Sequence, residues 1–246
     1  MLQALPRTRR IGIFVPFTNT NLEADMAMMC PNGVSMHFMR LGGYDIDEVP
    51  DAGQMSQLAR FDMDDAIRLL AGVRPEVVLY GCTSATLALG ADFDSDLASK
   101  IKEKSGAACI TAASALVQAL ETLAVRNIAF ASPYVASLND DAIGFLESQE
   151  FNVVSRFDYP IELGNYGQGE LHPKEISKFA LESDSTEAEA IVLSCTDMRA
   201  AETIKAIESQ TNKPVVTSNQ ALLFCALKNL QINETFVDFG QLFNHL

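Results

Sequence analysis

The sequence predicts an α/β protein with two pseudo-symmetric lobes, each a short, mainly parallel sheet flanked by helices. Two observations predict this fold. Short apolar segments alternate with amphipathic segments of helical length, and similar segments recur in the same order in the two halves of the chain. Such alternation is typical of parallel sheets covered by helices. Since ligands collect beyond the carboxyl ends of parallel strands, we expect the active site in the cleft between the lobes.

The strand predictions rest on short runs of β-branched and apolar residues. The predicted strands are Ile11–Pro16, Val34–Leu41, Val77–Gly81, Ala108–Thr111, Asn127–Ala131, Asn152–Phe157, Ala190–Ser194 and Pro214–Thr217. The helix predictions rest on amphipathic periodicity in the intervening segments. The predicted helices include Ser56–Ala71, Ala112–Leu123, Asn139–Gln149, Pro173–Leu181, Asp197–Gln210 and Asn219–Leu230.

Three pairs of segments carry the internal repeat. VVLYGCTSAT at residues 77–86 and IVLSCT at 191–196 both place Cys-Thr after an apolar run. IGIFVPF resembles IAFASPY, and ITAASAL resembles VTSNQAL. A repeat this long indicates two similar lobes rather than a solenoid. The predicted first lobe is residues 1–115 with 219–246, and the predicted second lobe is 116–218.

Composition and charge narrow the class of function. Of the 246 residues, 48% are hydrophobic, which suits a globular protein with a sizeable core. No apolar run reaches the roughly 18 residues that a membrane span needs, and the basic residues near the start follow the apolar ones, unlike a signal peptide. The net charge of −14 disfavours nucleic acid and anionic membranes as partners. The cysteines include no Cys-x-x-Cys, so a reduced, cytoplasmic protein is expected.

No metal site is expected either. The histidines are dispersed along the chain, which is not the pattern of a metal site. A short acidic segment lacks the spacing of a calcium loop and is interpreted as solvated. Its residues are Asp45, Asp47 and Glu48.

Cys82 and Cys195 are the candidate catalytic residues. Free cysteines are usually small buried apolar residues, and we interpret Cys30, Cys109 and Cys225 in that way. Cys82 and Cys195 instead end strands and precede helix-like segments, where a helix N-terminus would lower the pKa of a thiol. Two thiols presented symmetrically to one cleft can act on both faces of a small substrate.

Polar side chains beside these strand ends are candidate substrate contacts. Hydroxyl groups next to the cysteines could hold a carboxylate, and they belong to Thr83, Ser84 and Thr196. Asn19 lies at the turn after the first strand, where its amide either binds a carboxylate or only forms the turn. Thr20 and Glu23 match a capping box that would open the next helix. The glycine-rich segment Gly164–Glu170 predicts a loop that could close over the cleft, with Asn165 and Tyr166 as contacts.

Several of these segments resemble the aspartate/glutamate racemase superfamily. PFTNTNLE, GCTSATLALG, SPYVASLND, LSCTDMRAAETI and KPVVTSNQALL are similar to its maleate cis-trans isomerase and arylmalonate decarboxylase branch. The resemblance spans nearly the whole chain. It implies two α/β lobes with the active site between them and no metal or organic cofactor. It further implies that Cys82 adds to a substrate double bond, that Cys195 transfers a proton, and that Asn19, Tyr134 and Asn165 hold the carboxylates.

The resulting hypothesis is isomerisation of a small dicarboxylate, specifically maleate to fumarate. Three enzymatic alternatives use the same two-cysteine cleft: an amino-acid or hydroxy-acid racemase, an arylmalonate-type decarboxylase and a relative of ectoine-utilisation proteins. The non-enzymatic alternative is a two-lobed protein that binds or senses a small molecule. Such a protein has no need for two symmetric reactive thiols. The expected partners are a small carboxylate substrate and, by resemblance, further copies of this chain in a homodimer or higher homo-oligomer.

Overall fold

A computed structural model of the chain describes residues 8–42, 53 and 62–246, and these contain two parallel sheets of four strands each. The first sheet consists of β1 (Arg9–Pro16), β2 (Val34–Leu41), β3 (Val77–Tyr80) and β4 (Ala108–Thr111). The second consists of β5 (Asn127–Ala131), β6 (Asn152–Phe157), β7 (Ala190–Leu193) and β8 (Val215–Thr217). The predicted parallel α/β architecture is therefore confirmed.

Both sheets have the same strand order. It is β2-β1-β3-β4 in the first and β6-β5-β7-β8 in the second. The recurring sequence segments fall on equivalent strands, since the first pair lies on β1 and β5, the Cys-Thr pair follows β3 and β7, and the last pair begins at the ends of β4 and β8. The internal repeat in the sequence thus corresponds to two copies of the same sheet topology. The exact lobe boundaries stay a prediction.

Helices connect the strands and cover the sheets. They are α1 (Leu22–Met29), α2 (Asp64–Ala71), α3 (Thr83–Leu87), α4 (Gly90–Ser105), α5 (Ala112–Thr122), α6 (Ala136–Ser148), α7 (Gly167–Glu170), α8 (Pro173–Ser183), α9 (Ile204–Thr211) and α10 (Ser218–Asn229), with a 3-10 helix at Gln241–His245. Within the described ranges, no helix has both the length and the apolar character that crossing a bilayer requires.

Most predicted helices match these bounds to within a few residues, but one begins much later than expected. The predicted helix Asp197–Gln210 starts only at Ile204, because the preceding residues form tight turns in which Ala200 N–H donates to the carbonyl of Met198 at 2.7 Å. Helices α3, α4 and α7 were not in the predicted set, and α7 lies within the glycine-rich segment that was predicted to be a loop. Positions 56–61 of the predicted helix Ser56–Ala71 lie outside the described residues, as do Asp45, Asp47 and Glu48.

The two sheets share a central core and each has an outer core of its own. Successive side chains of a strand point to opposite faces. Ile11, Ile13 and Val15 of β1 lie in the central core, while Phe14 lies in the outer core of the first sheet. On β5 the central residues are Ile128 and Phe130, and the outer residues are Ala129 and Ala131.

Helices α5 and α10 join the sheets through this central core. They pack on each other, α5 contacts β4 and β8, and α10 contacts β3, β4 and β8. Each begins at a capping box, in which Thr111 accepts from Ser114 N–H at 3.0 Å and Thr217 accepts from Gln220 N–H at 3.1 Å. The threonines end the outermost strands β4 and β8, so each helix begins at the carboxyl edge of its sheet.

A glycine between β3 and Cys82 leads to a prediction about packing. A Cβ on Gly81 would lie 2.3 Å from Leu22 Cδ1 and 2.9 Å from the carbonyl oxygen of Phe14. We expect Gly81→Ala to lower the free energy of unfolding by about 1–3 kcal/mol in urea titrations, since overpacking displaces well-ordered neighbours. Gly144→Ala on α6 is the control, because a Cβ there meets no atom within 4 Å. An equal effect of both variants would contradict this packing argument.

Candidate active site

The two candidate cysteines lie at equivalent strand ends. Cys82 follows β3 after one residue and is the N-cap of α3, and Cys195 follows β7 after one residue. Both strands are internal in their sheets, so both thiols lie at a carboxyl edge. Cys82 is 6% exposed and Cys195 is 2% exposed. The fold therefore brings both thiols into a buried setting.

Hydrogen bonds between the lobes join three segments around the thiols. The Asn19 side-chain amide donates to Thr196 Oγ1 at 3.1 Å, and Thr196 Oγ1–H donates to the carbonyl of Gly81 at 2.9 Å. Gly81 precedes Cys82 and Thr196 follows Cys195. The structure thus brings Asn19, Cys82, Cys195 and Thr196 together, although they come from three different loops.

Tyr134 lies directly against the second thiol. Its hydroxyl is 3.2 Å from Cys195 Sγ. The tyrosine backbone is fixed by two buried side chains, because Asn139 Nδ2 donates to the Tyr134 carbonyl at 3.2 Å and Tyr134 N–H donates to Ser132 Oγ at 3.1 Å. Ser132 in turn donates to Asn139 Oδ1 at 2.5 Å. Sequence reasoning identified Tyr134 but missed Ser132 and Asn139, whose polar character at buried positions could have indicated them.

Burial controls the acidity of both thiols. It raises the pKa of Cys82, while the N–H of Ala85 and the hydroxyl of Ser84, 3.8 Å from the sulfur, act in the opposite direction. Burial, followed by the nearby carboxylate of Asp197, raises the pKa of Cys195 to about 12. The expectation that helix N-termini lower both pKa values is wrong. Helix α3 has only 5 residues, and turns rather than a helix follow Cys195.

The two hydroxyl residues after Cys82 differ in their surroundings. Thr83 is buried, and its hydroxyl donates to Ser218 Oγ at 2.9 Å at the start of α10. Ser84 instead lies beside the Cys82 sulfur. A hydroxyl that the sequence analysis missed belongs to Thr86, which donates to the Cys82 carbonyl at 3.0 Å and fixes the short helix α3 to that residue.

The glycine-rich segment lies against the first-lobe loop. Asn165 is buried and its carbonyl accepts from Gln168 at 3.0 Å, whereas Tyr166 is nearly half exposed. The carbonyl of Gly169 accepts from Asn21 Nδ2 at 3.0 Å. A Cβ at Gly169 would lie 2.8 Å from Thr20 Oγ1, so only glycine allows this approach without displacement. The segment therefore covers the loop that carries Asn19.

The predicted capping box at Thr20 and Glu23 is wrong. Helix α1 begins at Leu22 without a side-chain cap from its N-cap residue. The side chain of Asn19 caps the start of the helix instead, because its Oδ1 accepts from Leu22 N–H at 2.9 Å. Glu23 pairs with Arg40 at 2.8 Å on the surface. The amide group of Asn19 thus both closes the turn and contacts Thr196, and the turn-forming and functional interpretations coexist.

A buried polar network beneath the site was not predicted from the sequence. Asn219 Nδ2 donates to Asp25 Oδ2 at 2.9 Å and to the Thr196 carbonyl at 3.0 Å. Asp25 also accepts from the N–H of Ala201, so it links α1 to the segment that carries Cys195. Asp25 occupies an inward position of α1, since Leu22, Met26 and Met29 on the same face are buried. The sequence does carry a signal for this network, because Asp25 is an acidic residue at a position where the helical pattern of apolar residues predicts a core residue.

The described residues contain no cluster of three or more His, Cys, Asp or Glu side chains arranged to hold a metal ion.

The buried acid leads to a prediction about pH. Burial raises the pKa of Asp25 to about 7, Asn219, the Ala201 N–H and Arg199 act in the opposite direction, and Glu202 adds to the rise. In the unfolded chain the pKa is about 3.9. The folded state therefore binds the Asp25 proton more tightly than the unfolded chain does. The stabilisation from the protonated Asp25 carboxyl is complete below about pH 4 and is lost as the pH rises through about 7. Asp25→Asn cannot ionise and should escape this loss.

We expect the free energy of unfolding of the variant, relative to the wild type, to rise by at most about 4 kcal/mol between about pH 4 and pH 8. Urea titrations at a series of pH values measure it. Asp96→Asn is a control, because Asp96 is exposed on α4. A difference between Asp25→Asn and wild type that stays constant with pH would show that Asp25 does not titrate in this way.

Comparison with known proteins places this arrangement in a family. The family model described as arylmalonate decarboxylase matches residues 11–243. A maleate isomerase from Geobacillus stearothermophilus is 24% identical over 249 residues, covering 95% of this chain and 96% of the relative. An arylmalonate decarboxylase from Bordetella bronchiseptica is 26% identical over 233 residues, covering 90% of each chain.

Solved structures show the same fold. A cysteine-to-alanine variant of the maleate isomerase Iso from Pseudomonas putida S16, with maleate, has a TM-score of 0.87 at 19% identity and covers 97% of this chain and 98% of its own. A cysteine-to-serine variant of the Nocardia farcinica maleate cis-trans isomerase, with a covalently bound succinylcysteine intermediate, has a TM-score of 0.87 at 22% identity, with coverages of 96% and 98%. The predicted resemblance is confirmed, and the chain belongs to the arylmalonate decarboxylase family.

Proposed function

We propose that the protein is a cofactor-independent cis-trans isomerase of a small dicarboxylate, with maleate as substrate and fumarate as product. The observation that carries this proposal is the pair of buried thiols at equivalent strand ends, joined across the lobes by the Thr196–Gly81 hydrogen bond. Curated maleate isomerases that match nearly the full chain support it. The succinylcysteine in the Nocardia farcinica structure also supports it, because thiol addition to maleate yields a succinyl thioether.

The proposed reaction begins with addition of the Cys82 thiolate to one alkene carbon. The sulfur–carbon bond forms, and the electron pair of the double bond moves to the neighbouring carbon and its attached carboxylate. Cys195 gives its proton to that carbon, which produces a succinyl thioether on Cys82. The former double bond is now a single bond and rotates. Cys195 then removes a proton from the same carbon, the double bond re-forms in the trans arrangement, and Cys82 leaves as thiolate.

The surroundings of the thiols support these different roles. Cys195, with its pKa raised to about 12, is held as a thiol at neutral pH and can act as the acid. Tyr134, whose own pKa is raised well above its usual range by burial, is a neutral hydroxyl beside it. Cys82 has Ser84 and the Ala85 N–H as neighbours, and both favour its thiolate.

Substrate binding is assigned to the polar groups around the thiols. These residues are Asn19, Thr83, Ser84, Tyr134, Asn165 and Thr196. Neutral donors at strand ends can stabilise the negative charge that develops on a carboxylate as the thiolate adds. Because the Thr83 hydroxyl is bonded to Ser218, its contribution would come from its backbone N–H.

Decarboxylation is the second candidate. The family match and the Bordetella bronchiseptica relative favour it, and it needs only Cys195 to protonate a carbanion. Proton NMR in heavy water, with maleate, aspartate and an arylmalonate as separate substrates, tests both. Fumarate from maleate supports the isomerase, whereas loss of carboxylate from the arylmalonate supports the decarboxylase. Deuterium exchange at the α-carbon of aspartate would indicate racemisation, and no turnover at all would favour a binding protein.

Location and assembly also belong to the proposal. A mechanism that needs free thiols suits the reduced cytoplasm. Among the described residues all five cysteines are free. We further propose a homodimer or higher homo-oligomer, which light scattering of the purified protein would test.

We predict that Cys195→Ser stalls the reaction after addition. Serine keeps the shape of cysteine, and a proton that reaches the neighbouring carbon from solvent completes the succinyl thioether on Cys82. The neutral serine hydroxyl is a poor base and cannot remove that proton again at the normal rate, so the adduct accumulates. Intact-protein mass spectrometry after mixing with maleate should show one added substrate mass, located on Cys82 by peptide mapping. Cys82→Ala is the control and should form no adduct while losing at least about a hundredfold in kcat. An adduct on another residue would contradict the assignment.

We also predict that kcat/KM for maleate rises with pH. Because burial raises the pKa of Cys82, only a small fraction of it is thiolate at neutral pH. The rate should therefore increase about tenfold per pH unit from about pH 6 to pH 8. Initial rates of fumarate formation, followed by proton NMR at each pH, measure this dependence. A profile that is already flat across this range would show that substrate-free Cys82 carries a preformed thiolate.

A further inference from the structure

One peptide unit lies between the second thiol and the buried network beneath it. It joins Thr196 to Asp197, and its N–H donates to Cys195 Sγ at 3.3 Å. The described residues contain no cis peptide bond, so this unit is trans and planar, and its carbonyl points away from the sulfur. A group that holds the Thr196 carbonyl therefore also sets the direction of the N–H that reaches the thiol.

The side-chain amide of Asn219 holds that carbonyl. Its Nδ2 donates to the Thr196 carbonyl at 3.0 Å and to Asp25 Oδ2 at 2.9 Å. Both Asn219 and Asp25 are buried, and Asp25 is fixed further by the N–H of Ala201. An amide nitrogen carries two hydrogens and can serve both acceptors, whereas a hydroxyl has only one hydrogen to donate. The residue type at position 219 therefore matches the two acceptors that it meets.

The first lobe has a different residue at the matching place. In the repeat that pairs ITAASAL with VTSNQAL, Ala113 stands where Asn219 stands. The carbonyl of Thr83, which follows the first thiol, accepts instead from Thr86 Oγ1 at 3.1 Å within α3. The amide of Asn219 is therefore not a feature that the repeat imposes on both lobes, and it serves the second thiol.

The charge on Cys195 changes during the proposed reaction. This thiol gives its proton to carbon and stays a thiolate until it takes a proton back. Burial opposes that charge, while the Tyr134 hydroxyl at 3.2 Å and the Asp197 N–H at 3.3 Å stabilise it. Hydrogen bonds to a charged atom are stronger than neutral ones and weaken when the donor is misaligned. The direction of the Asp197 N–H therefore matters most while Cys195 is ionised.

We propose that Asn219, anchored on Asp25, is a positioning residue that directs the Asp197 N–H at the Cys195 sulfur and thereby stabilises the thiolate form of Cys195. Asn219 acts through the peptide unit, from the side away from the sulfur. The value of this contact for turnover rests on the proposed function. Its effect on the thiol does not, because the contacts belong to the free protein.

The test measures thiol reactivity in the protein without substrate. Iodoacetamide reacts with the thiolate, so the alkylation rate at about pH 9 follows the thiolate fraction of each cysteine. Peptide mapping by mass spectrometry gives the rates for Cys195 and for Cys225, which is similarly buried and reports any general loosening. In Asn219→Ala we expect the rate at Cys195, relative to Cys225, to fall about tenfold. Asn229→Ala, at an exposed position of the same helix, is the control and should leave this ratio unchanged.

Turnover of maleate gives a second readout. In Asn219→Ala, kcat should fall about tenfold while KM changes less than about twofold, because the groups that bind substrate are kept. An unaltered or increased ratio of Cys195 to Cys225 alkylation would overturn the proposal and leave Asn219 with a purely structural role. Should Asn219→Ala not fold, an unaltered ratio in Asn219→Ser, which keeps a single donor, would overturn it. Failure of the isomerase proposal would appear separately, as no turnover of maleate by the wild type, and the alkylation rates would still decide the role of Asn219.

Discussion

The packing of α5 against α10 is the constraint on which the site depends. Each helix begins at the carboxyl edge of one sheet, at Thr111 or Thr217, and each contacts strands of both sheets. Because the central core is continuous through these helices, the two sheets cannot rotate independently without exposing apolar surface. Their carboxyl edges are therefore held facing one another. That orientation is what brings the ends of β3 and β7, and the thiols that follow them, to a common cleft.

Polar groups that are buried where the lobes meet lose their contact with water, which costs free energy. Hydrogen bonds among these groups reduce that cost. An unpaired buried polar group costs about 1–3 kcal/mol, so buried donors and acceptors are expected to find partners. Asn19, Asn219 and Thr196 each make contacts in more than one direction. The two buried acids accept hydrogen bonds across the same boundary. Asp25 of α1 accepts from Asn219 of α10 and from the N–H of Ala201, and Asp197 accepts from the N–H of Thr20. Such reciprocal contacts favour one relative placement of the lobes over sliding alternatives.

Much of the fold was predictable because it rests on local patterns. The strands are short apolar runs, and the internal repeat places Cys82 and Cys195 without any knowledge of tertiary contacts. The start of α9 was not predictable in the same way. Residues 197–203 carry an amphipathic pattern, but Asp197 and the Thr196 carbonyl are used in contacts with Asn21 and Asn219, which outweigh helix propensity. Those partners are far away in sequence, so no local window contains them.

The acidity of the thiols was misjudged for a related reason. A strand end followed by a helix lowers a thiol pKa only if the helix is long enough and the sulfur remains solvated. Here α3 has 5 residues, no helix directly follows Cys195, and both thiols are nearly fully buried. Desolvation depends on what the other lobe covers, which is a property of the assembled fold. The repeat shows where the reactive groups lie, but their ionisation depends on burial and on side-chain contacts that differ between the halves. The hydroxyl of Ser84 lies 3.8 Å from Cys82 Sγ, whereas the hydroxyl of Tyr134 lies 3.2 Å from Cys195 Sγ.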